Sequence, residues 1–407
     1  MSITVSRRTL LAAAGATVAA PGILWASTRP IRIGVLTDMS GPFSGNTGIG
    51  SYTAAQLAIE DFRKDHPDIA VEVTRADFQL KPDVALSIAR QWFSDGTADL
   101  ITDVPLSSAA LAIAALAKER DKVAVYTSAA SSDLTGKDCG SNHAHWVFDT
   151  YNIAKVVTQA VTNAGGRRWF FLTDDSSGFI LMQRQMEGFL RASGAAIVGS
   201  VLVPFPSTDY SSYLLQAQAS GATVIAMGNS GTSTVNCIKQ ANDFGITRSG
   251  AQLAATQTRV TDVNAMGLSL AKGLLLAEPY YWDMNDNTRD IGQRYAERNR
   301  GRMPNAAQAG NYSAVMHYLK AVAAVGPERA LQSGRAVLER MKATPIEDKV
   351  FGRGVLRADG RTEIDVHLFK VKSPEQSRRD WDYFEYLNTV PGSEAFRPMS
   401  EGGCPLV

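Results

Sequence analysis

The sequence has few of the residues on which catalysis, metal binding or nucleic-acid binding usually rest. Among 407 residues there are five histidines, scattered at His66, His143, His145, His317 and His367. No H-E-x-x-H run and no G-x-S-x-G turn is present, and no Cys/His pair stands out as a nucleophile with its base. Nothing positive points to an enzyme, a cofactor or a bound metal. Charge of one sign is also lacking, with 41 Lys and Arg against 40 Asp and Glu. That balance argues against a nucleic acid or an anionic membrane as partner. The stretch Gly45-Asn46-Thr47-Gly48-Ile49-Gly50 follows an apolar strand-like run, yet it is neither G-x-G-x-x-G nor followed by Gly-Lys-Ser/Thr. Nucleotide binding is poorly supported.

Long apolar runs are missing as well, since a membrane-crossing helix needs about 20 strongly apolar residues. The nearest approach is at the start of the chain. There Arg7 and Arg8 precede an uncharged, Ala- and Leu-rich stretch that ends near Trp25-Ala26-Ser27. It is too short and too rich in small residues to span a bilayer, and it reads as an export signal over residues 1–26. The run Ser6-Arg7-Arg8-Thr9-Leu10-Leu11 fits the twin-arginine pattern for proteins exported already folded. No Cys closes the signal, so a free periplasmic protein is expected rather than a lipid-anchored one.

Three cysteines in an oxidising compartment allow one disulfide and one remaining thiol. Cys139 lies in the polar loop Thr135 to Ser141 and Cys404 in the tail Gly402-Gly403-Cys404-Pro405, both places where a staple is useful. A Cys139–Cys404 disulfide is therefore expected, with Cys237 a buried thiol in a helical run. Cys139, His143 and His145 also have C-x3-H-x-H spacing, but no fourth metal ligand is near, and a disulfide beside a packed loop is the preferred reading.

What is there is an alternation of strands and helices. A single hydrophobic core stops growing near about 250 to 300 residues, so a chain of this length is expected to form two lobes. The β-rich run Ile31 to Asp38 leads through a Gly-rich loop to a helix from Tyr52 to Phe62. A strand over Ala70–Asp77, a Pro82-initiated helix, a strand over Ala98–Asp103, an Ala-rich helix behind Ser107-Ser108 and a strand over Val123–Thr127 follow. This β-α alternation predicts a parallel sheet with helices on its faces. After residue 150 the pattern starts again, with strands over Arg168–Thr173, Ala195–Val203 and Thr223–Met227. Leu36-Thr37-Asp38 and Leu172-Thr173-Asp174 each end a strand in the same way, which suggests two similar lobes. Near the C-terminus, Gly354–Arg357 and Asp365–Val371 flank the turn Ala358-Asp359-Gly360 and are expected to form a hairpin.

Ligands of parallel α/β sheets sit beyond the carboxyl ends of the strands, where helix N-termini favour anions. The loops expected there are rich in small hydroxyl and amide residues: Ser107-Ser108, Ser128 to Ser132, Asp174 to Gly178, Gly228 to Ser233 and Thr256-Gln257-Thr258. Asn46, Asn229 and Gln257 are amide candidates from these loops and from the Gly-rich one. The cluster Tyr280-Tyr281-Trp282 lies where the chain should recross between lobes, so one of its rings could face the cleft; Trp381, Tyr383, Phe384 and Tyr386 read as packing.

The ordered set Ile33-Gly34-Val35-Leu36-Thr37-Asp38-Met39-Ser40-Gly41-Pro42-Phe43, the Ala54 to Phe62 helix, Ser107-Ser108, Thr127-Ser128-Ala129-Ala130-Ser131 and Asp209-Tyr210-Ser211-Ser212-Tyr213-Leu214 resembles the leucine/isoleucine/valine-binding family of type I periplasmic binding proteins, which serves ABC transporters. The resemblance implies two Rossmann-like α/β/α lobes joined by three crossings, near 149, 279 and 346. Lobe one would hold 27–148 and 279–345, and lobe two 149–278 and 346–407 with the tail. It implies that Ser108, the Ala129 backbone and Ser131 hold a ligand carboxylate. The family's positions for an aromatic residue and for the acid that pairs an ammonium fall on Ser177 and on Thr256 or Gln257, and no carboxylate stands there. An unpaired buried ammonium is costly, so an uncharged-tailed acid or an amide is expected, packed against Tyr151 and Tyr281. The function implied is a monomeric solute receptor that delivers a small polar ligand to ABC permease subunits; the alternative is a sensor of the same fold feeding a signalling partner.

Overall fold

The computed structural model describes residues 29–407, so the expected leader lies outside the described residues. Two parallel sheets carry the fold. The first holds β1 (Ile31–Thr37), β2 (Val71–Asp77), β3 (Leu100–Asp103), β4 (Val123–Tyr126) and β5 (His143–His145), in the order β2-β1-β3-β4-β5. The second holds β6 (Arg168–Asp174), β7 (Ala196–Val203), β8 (Val224–Ser230) and β9 (Gln252–Gln257), in the order β7-β6-β8-β9. Every pairing in both sheets is parallel. In each sheet the second strand lies on one side of the first and the third strand on the other, which places a topological switch point at β1/β3 and again at β6/β8. Central strands such as β4 and β8 are buried along their whole length, as helices on both faces require.

The helices form where the apolar spacing turns from alternate residues to every third or fourth. They are α1 (Gly48–Asp65), α2 (Pro82–Asp95), α3 (Ser107–Glu119), α4 (Thr150–Asn163), α5 (Ser177–Ser193), α6 (Ser211–Ala219), α7 (Thr232–Asp243) and α8 (Val260–Met266). Pro82 opens α2, where its missing N–H costs nothing. At the start of α4, Asp149 accepts from the Asn152 amide and the Asn152 side chain accepts from the Asp149 amide, a reciprocal cap. The helix Ala306–Val325 runs along α1 and is buried on nearly every face, with Asn305 capping its start.

The C-terminal third corrects two expectations. The turn at Ala358-Asp359-Gly360 is tight, with the Gly360 amide 3.0 Å from the Arg357 carbonyl. It joins β12 (Gly352–Leu356) not to the expected strand but to the two-residue β13 (Thr362–Glu363), while β11 (Ile346–Asp348) pairs on the far side of β12. The strand β14 (Val366–Val371) instead lies between β10 (Leu275–Glu278) and β15 (Phe384–Val390), antiparallel to both. The physical reason is that the turn is pinned to the first sheet: the His145 amide donates to the Gly360 carbonyl at 2.8 Å, and Arg361 bridges to His145. Asp348 bonds Ser313 in the helix that packs on α1, and Gly360 and Arg361 meet β5, so residues 346–361 stay with the first sheet's layers and the crossing expected near 346 does not occur there. The strand β5 itself was not expected from the sequence.

Cys139 and Cys404 are joined by a disulfide with their Cα atoms 5.5 Å apart, which ties the tail to the loop before β5, and Cys237 is a buried thiol. His143 and His145 are buried, each with its Nε2 2.7 Å from a backbone carbonyl, that of Leu134 and of Ala129 respectively. Burial pushes His143 down to about 4.

Candidate functional site

The carboxyl ends of the two sheets face each other across a narrow cleft. The loop after β1 is shaped by Asp38, whose carboxylate accepts from the amides of Gly41 and Phe43 at 2.7 and 2.8 Å. This directs Phe43, Asn46 and Thr47 into the cleft. The turn between β3 and α3 supplies Pro105, Leu106 and Ser107; the loop after β4 supplies Ser128 and Ala130; and Phe148 follows β5. From the second sheet come Ser176, Gly178 and Phe179 at the head of α5, Ser230 at the end of β8, and Gln257 and Arg259 after β9. Asp174, the counterpart of Asp38, plays a different part: it is buried, accepts from the Tyr210 hydroxyl at 2.9 Å, and burial pushes it up to about 7.

The two sides are closed on each other. The Thr232 amide donates to the Pro42 carbonyl at 3.0 Å. Phe43 stacks on Phe205 with centroids 5.5 Å apart and meets Phe179 edge-on at 6.4 Å. The Asn46 amide donates to both oxygens of Asp262, at 3.0 and 3.1 Å. Gly178 lies so near α3 that a Cβ on it would stand 2.6 Å from Ser107 Oγ. The heads of α3 and α5, with the unpaired amides of their first turns, are thus brought together around the cleft.

Among the described residues lining the cleft, one ionisable side chain stands out because it is the only one: Arg259. It is 3% exposed, its guanidinium carbon lies 3.8 Å from the centre of the Phe148 ring, and one N–H bonds Glu278. Behind it, burial pushes Glu278 up to about 7 and Asp262 up to about 6 in spite of the nearby cation. The cleft lining therefore carries one cation and no acid, with small hydroxyl and amide groups beside the rings of Phe43, Phe148 and Phe179.

The chain matches the family model described as "Periplasmic binding protein" over residues 30–377. It belongs to that family. A periplasmic binding protein from Burkholderia mallei is 36% identical, with a TM-score of 0.87, the match covering 93% of this chain and 99% of that one. A branched-chain amino acid ABC transporter periplasmic ligand-binding protein from Burkholderia xenovorans is 39% identical, with a TM-score of 0.80, covering 92% and 99%. A solute-binding protein from Rhodopseudomonas palustris, solved with benzoate, shares the fold with a TM-score of 0.79 at 17% identity, covering 93% and 100%. No curated protein sequence matches significantly. The family comprises substrate-binding proteins, not enzymes, and works outside the cytoplasm.

Of the residues expected to bind ligand in this periplasmic binding protein, Asn46 and Gln257 line the cleft. Asn46 is committed to Asp262 and Thr261 and acts as a bridge between the lobes. The others sit outside the lining, mostly by one residue. Helix α3 starts at Ser107, and the next residue is turned about 100° around the axis, so Ser107 faces the cleft and Ser108 does not. In the loop that bends after β4, Ser128 and Ala130 line the cleft, whereas the Ala129 carbonyl accepts from His145 and Ser131 caps the next turn. Alternation along β8 turns Ser230 to the cleft and buries Asn229 on the other side, against Thr234. Ser177 gives way to Ser176 and Gly178. Tyr151 packs edge-on against Phe189 at 5.4 Å, and the Tyr281 hydroxyl donates to the Trp381 carbonyl at 2.6 Å within the β14–β15 packing. Sequence reasoning missed Arg259, Phe43, Phe148 and Phe179; the available signal for Arg259 was a lone cation directly after a polar strand end.

Proposed function

We propose that this protein is the extracytoplasmic receptor of an ABC importer and that its cleft takes a small monocarboxylate with an apolar, ring-sized body. The observation that carries this reading is the lining itself: a single buried cation, Arg259, no acidic side chain, and the rings of Phe43, Phe148 and Phe179. A carboxylate would meet the Arg259 guanidinium, the Ser107 hydroxyl and the free amides at the heads of α3 and α5. The aromatic rings would cover the rest of the ligand. An α-ammonium would find no carboxylate on the lining, and leaving it unpaired there costs several kcal/mol. Exported under its leader and acting as a monomer in the periplasm, the closed protein would present its ligand to the permease subunits.

The experiment is a calorimetric and thermal-shift panel on the mature protein. Benzoate, 4-methyl-2-oxopentanoate, benzamide, leucine and phenylalanine form the panel. Carboxylates without an amino group are expected to bind, and Arg259→Gln combined with Glu278→Gln, which removes the cation without stranding its partner, is expected to abolish that binding. Leucine binding while both simple carboxylates fail would overturn the reading.

A further inference from the structure

The hydroxyl groups of the cleft have a fixed hydrogen-bonding polarity, and that polarity describes a second feature of the ligand. The chain of contacts starts at Asn311. Its Nδ2 lies 3.2 Å from the Ala307 carbonyl, which can only accept, and its Oδ1 lies 2.9 Å from the Thr102 hydroxyl. The amide orientation is thereby set, and Nδ2 points at the Thr127 hydroxyl at 2.8 Å and at Asp103 Oδ1. Thr127, accepting from Asn311, donates its own proton to Asp103 Oδ1 at 3.3 Å. That oxygen is ringed by donors, and Ser128 Oγ bonds the same atom. Ser128 donates to Oδ1, so its proton is committed inward and its lone pairs face the cleft.

Ser230 reaches the same condition by another route, since its hydroxyl donates to the Gln257 backbone carbonyl at 3.2 Å. The Thr47 hydroxyl likewise donates to the Phe43 carbonyl at 3.1 Å. Ser107 is the opposite case: it accepts from the Ser131 amide at 3.2 Å, so its proton is free to point outward. Donors to a ligand thus include Arg259, Ser107, the Gln257 side-chain amide and the helix heads, while the hydroxyls of Ser128 from one lobe and Ser230 from the other accept.

Resting on the monocarboxylate reading above, we infer that the ligand carries an uncharged hydrogen-bond donor, a hydroxyl in the first instance, that Ser128 and Ser230 receive. A second carboxylate would meet oxygen lone pairs there, and an ether would leave them unpaired. A buried site that pairs a ligand hydroxyl discriminates against the analogue lacking it, because its own polar groups lose their partner.

The test is calorimetry on the mature protein with benzoate, 3- and 4-hydroxybenzoate, the two matching methoxybenzoates and terephthalate. One hydroxybenzoate is expected to bind about tenfold or more tightly than benzoate, with its methoxy counterpart losing the gain and terephthalate binding weakest. In Ser128→Ala and in Ser230→Ala, both first checked for an intact melting transition, the ratio of hydroxybenzoate to benzoate affinity is expected to fall towards one. Benzoate binding as tightly as both hydroxy acids, or a ratio that survives in the double variant, would overturn this inference alone. Binding of none of these acids would overturn the monocarboxylate reading and this inference with it.

Discussion

Capture of an anion at Arg259 should draw a proton into the protein. Glu278 and Asp262 are both buried and share this one cation. Burial holds Glu278 up at about 7, with Asp262 adding to the rise and Arg259 opposing it. A ligand carboxylate that leans on the same guanidinium places a third negative charge beside two carboxylates and one cation. The protonated form of Glu278 is then favoured further, so its proton affinity is higher in the complex than in the free protein. The complex holds more protons than its parts, and affinity must fall as the pH rises. The fall begins near pH 7, where free Glu278 gives up its proton, and continues until the complex does the same. One proton corresponds to about tenfold per pH unit, or about 1.4 kcal/mol. Between pH 7 and 8, the dissociation constant of a bound carboxylate should therefore rise by up to about tenfold. Titration calorimetry in phosphate and in Tris at one pH reads the proton directly, because the observed heat includes the ionisation heat of whichever buffer gives it up. Glu278→Gln should remove both the buffer dependence and the pH slope. A heat independent of buffer, with a flat affinity from pH 6.5 to 8.5, would refute the reasoning.

Three other perturbations test the geometry. Gly231 has φ of 61°, and a Cβ there would stand 2.1 Å from the Pro42 carbonyl of the opposite lobe; Gly231→Ala should therefore hold the lobes apart, seen as a larger radius by solution scattering in the presence of ligand and as weakened binding. Ser107→Ala should weaken binding of a carboxylate by about 1 to 3 kcal/mol through one lost charge-assisted hydrogen bond, whereas Ser108→Ala should leave the calorimetric affinity unchanged; the reverse order would show that the head of α3 is wrongly placed. Replacing Cys139 and Cys404 by Ser opens a loop of sequence separation 265 and should lower unfolding stability by about 2 to 4 kcal/mol, measured by denaturant titration, with an unchanged midpoint as the contrary result.

The strand-loop-helix alternation was legible because apolar spacing is a local property, and it led directly to two parallel sheets with loops converging at their carboxyl ends. The small hydroxyl residues named from the sequence lie in the loops that line the cleft, often one position from a lining residue. Along β8 neighbouring side chains face opposite ways, so the choice between Asn229 and Ser230 depends on which face the sheet turns to its partner lobe, and the choice between Ser128 and Ala129 depends on the bend after β4. The strand β5 escaped notice because His143-Ala144-His145 lacks the apolar signature of a buried strand. Its histidines are acceptable in the core only because each meets a backbone carbonyl contributed by another loop.

By itself, then, the order of residues determined the fold class and set small polar residues in the loops at the carboxyl ends of the strands. Tertiary structure alone decided the rest. It joined Arg259 to Glu278 across 19 residues and Asn46 to Asp262 across 216. It attached the turn at Gly360 and Arg361 to the first sheet, and it paired the hydroxyls of Ser128 and Ser230 with Asp103 and the Gln257 carbonyl. The physical reason is one of range. Periodicity and capping act within a few residues, whereas the charge, shape and hydrogen-bond polarity of a cleft arise from segments that meet only when both lobes have folded and closed.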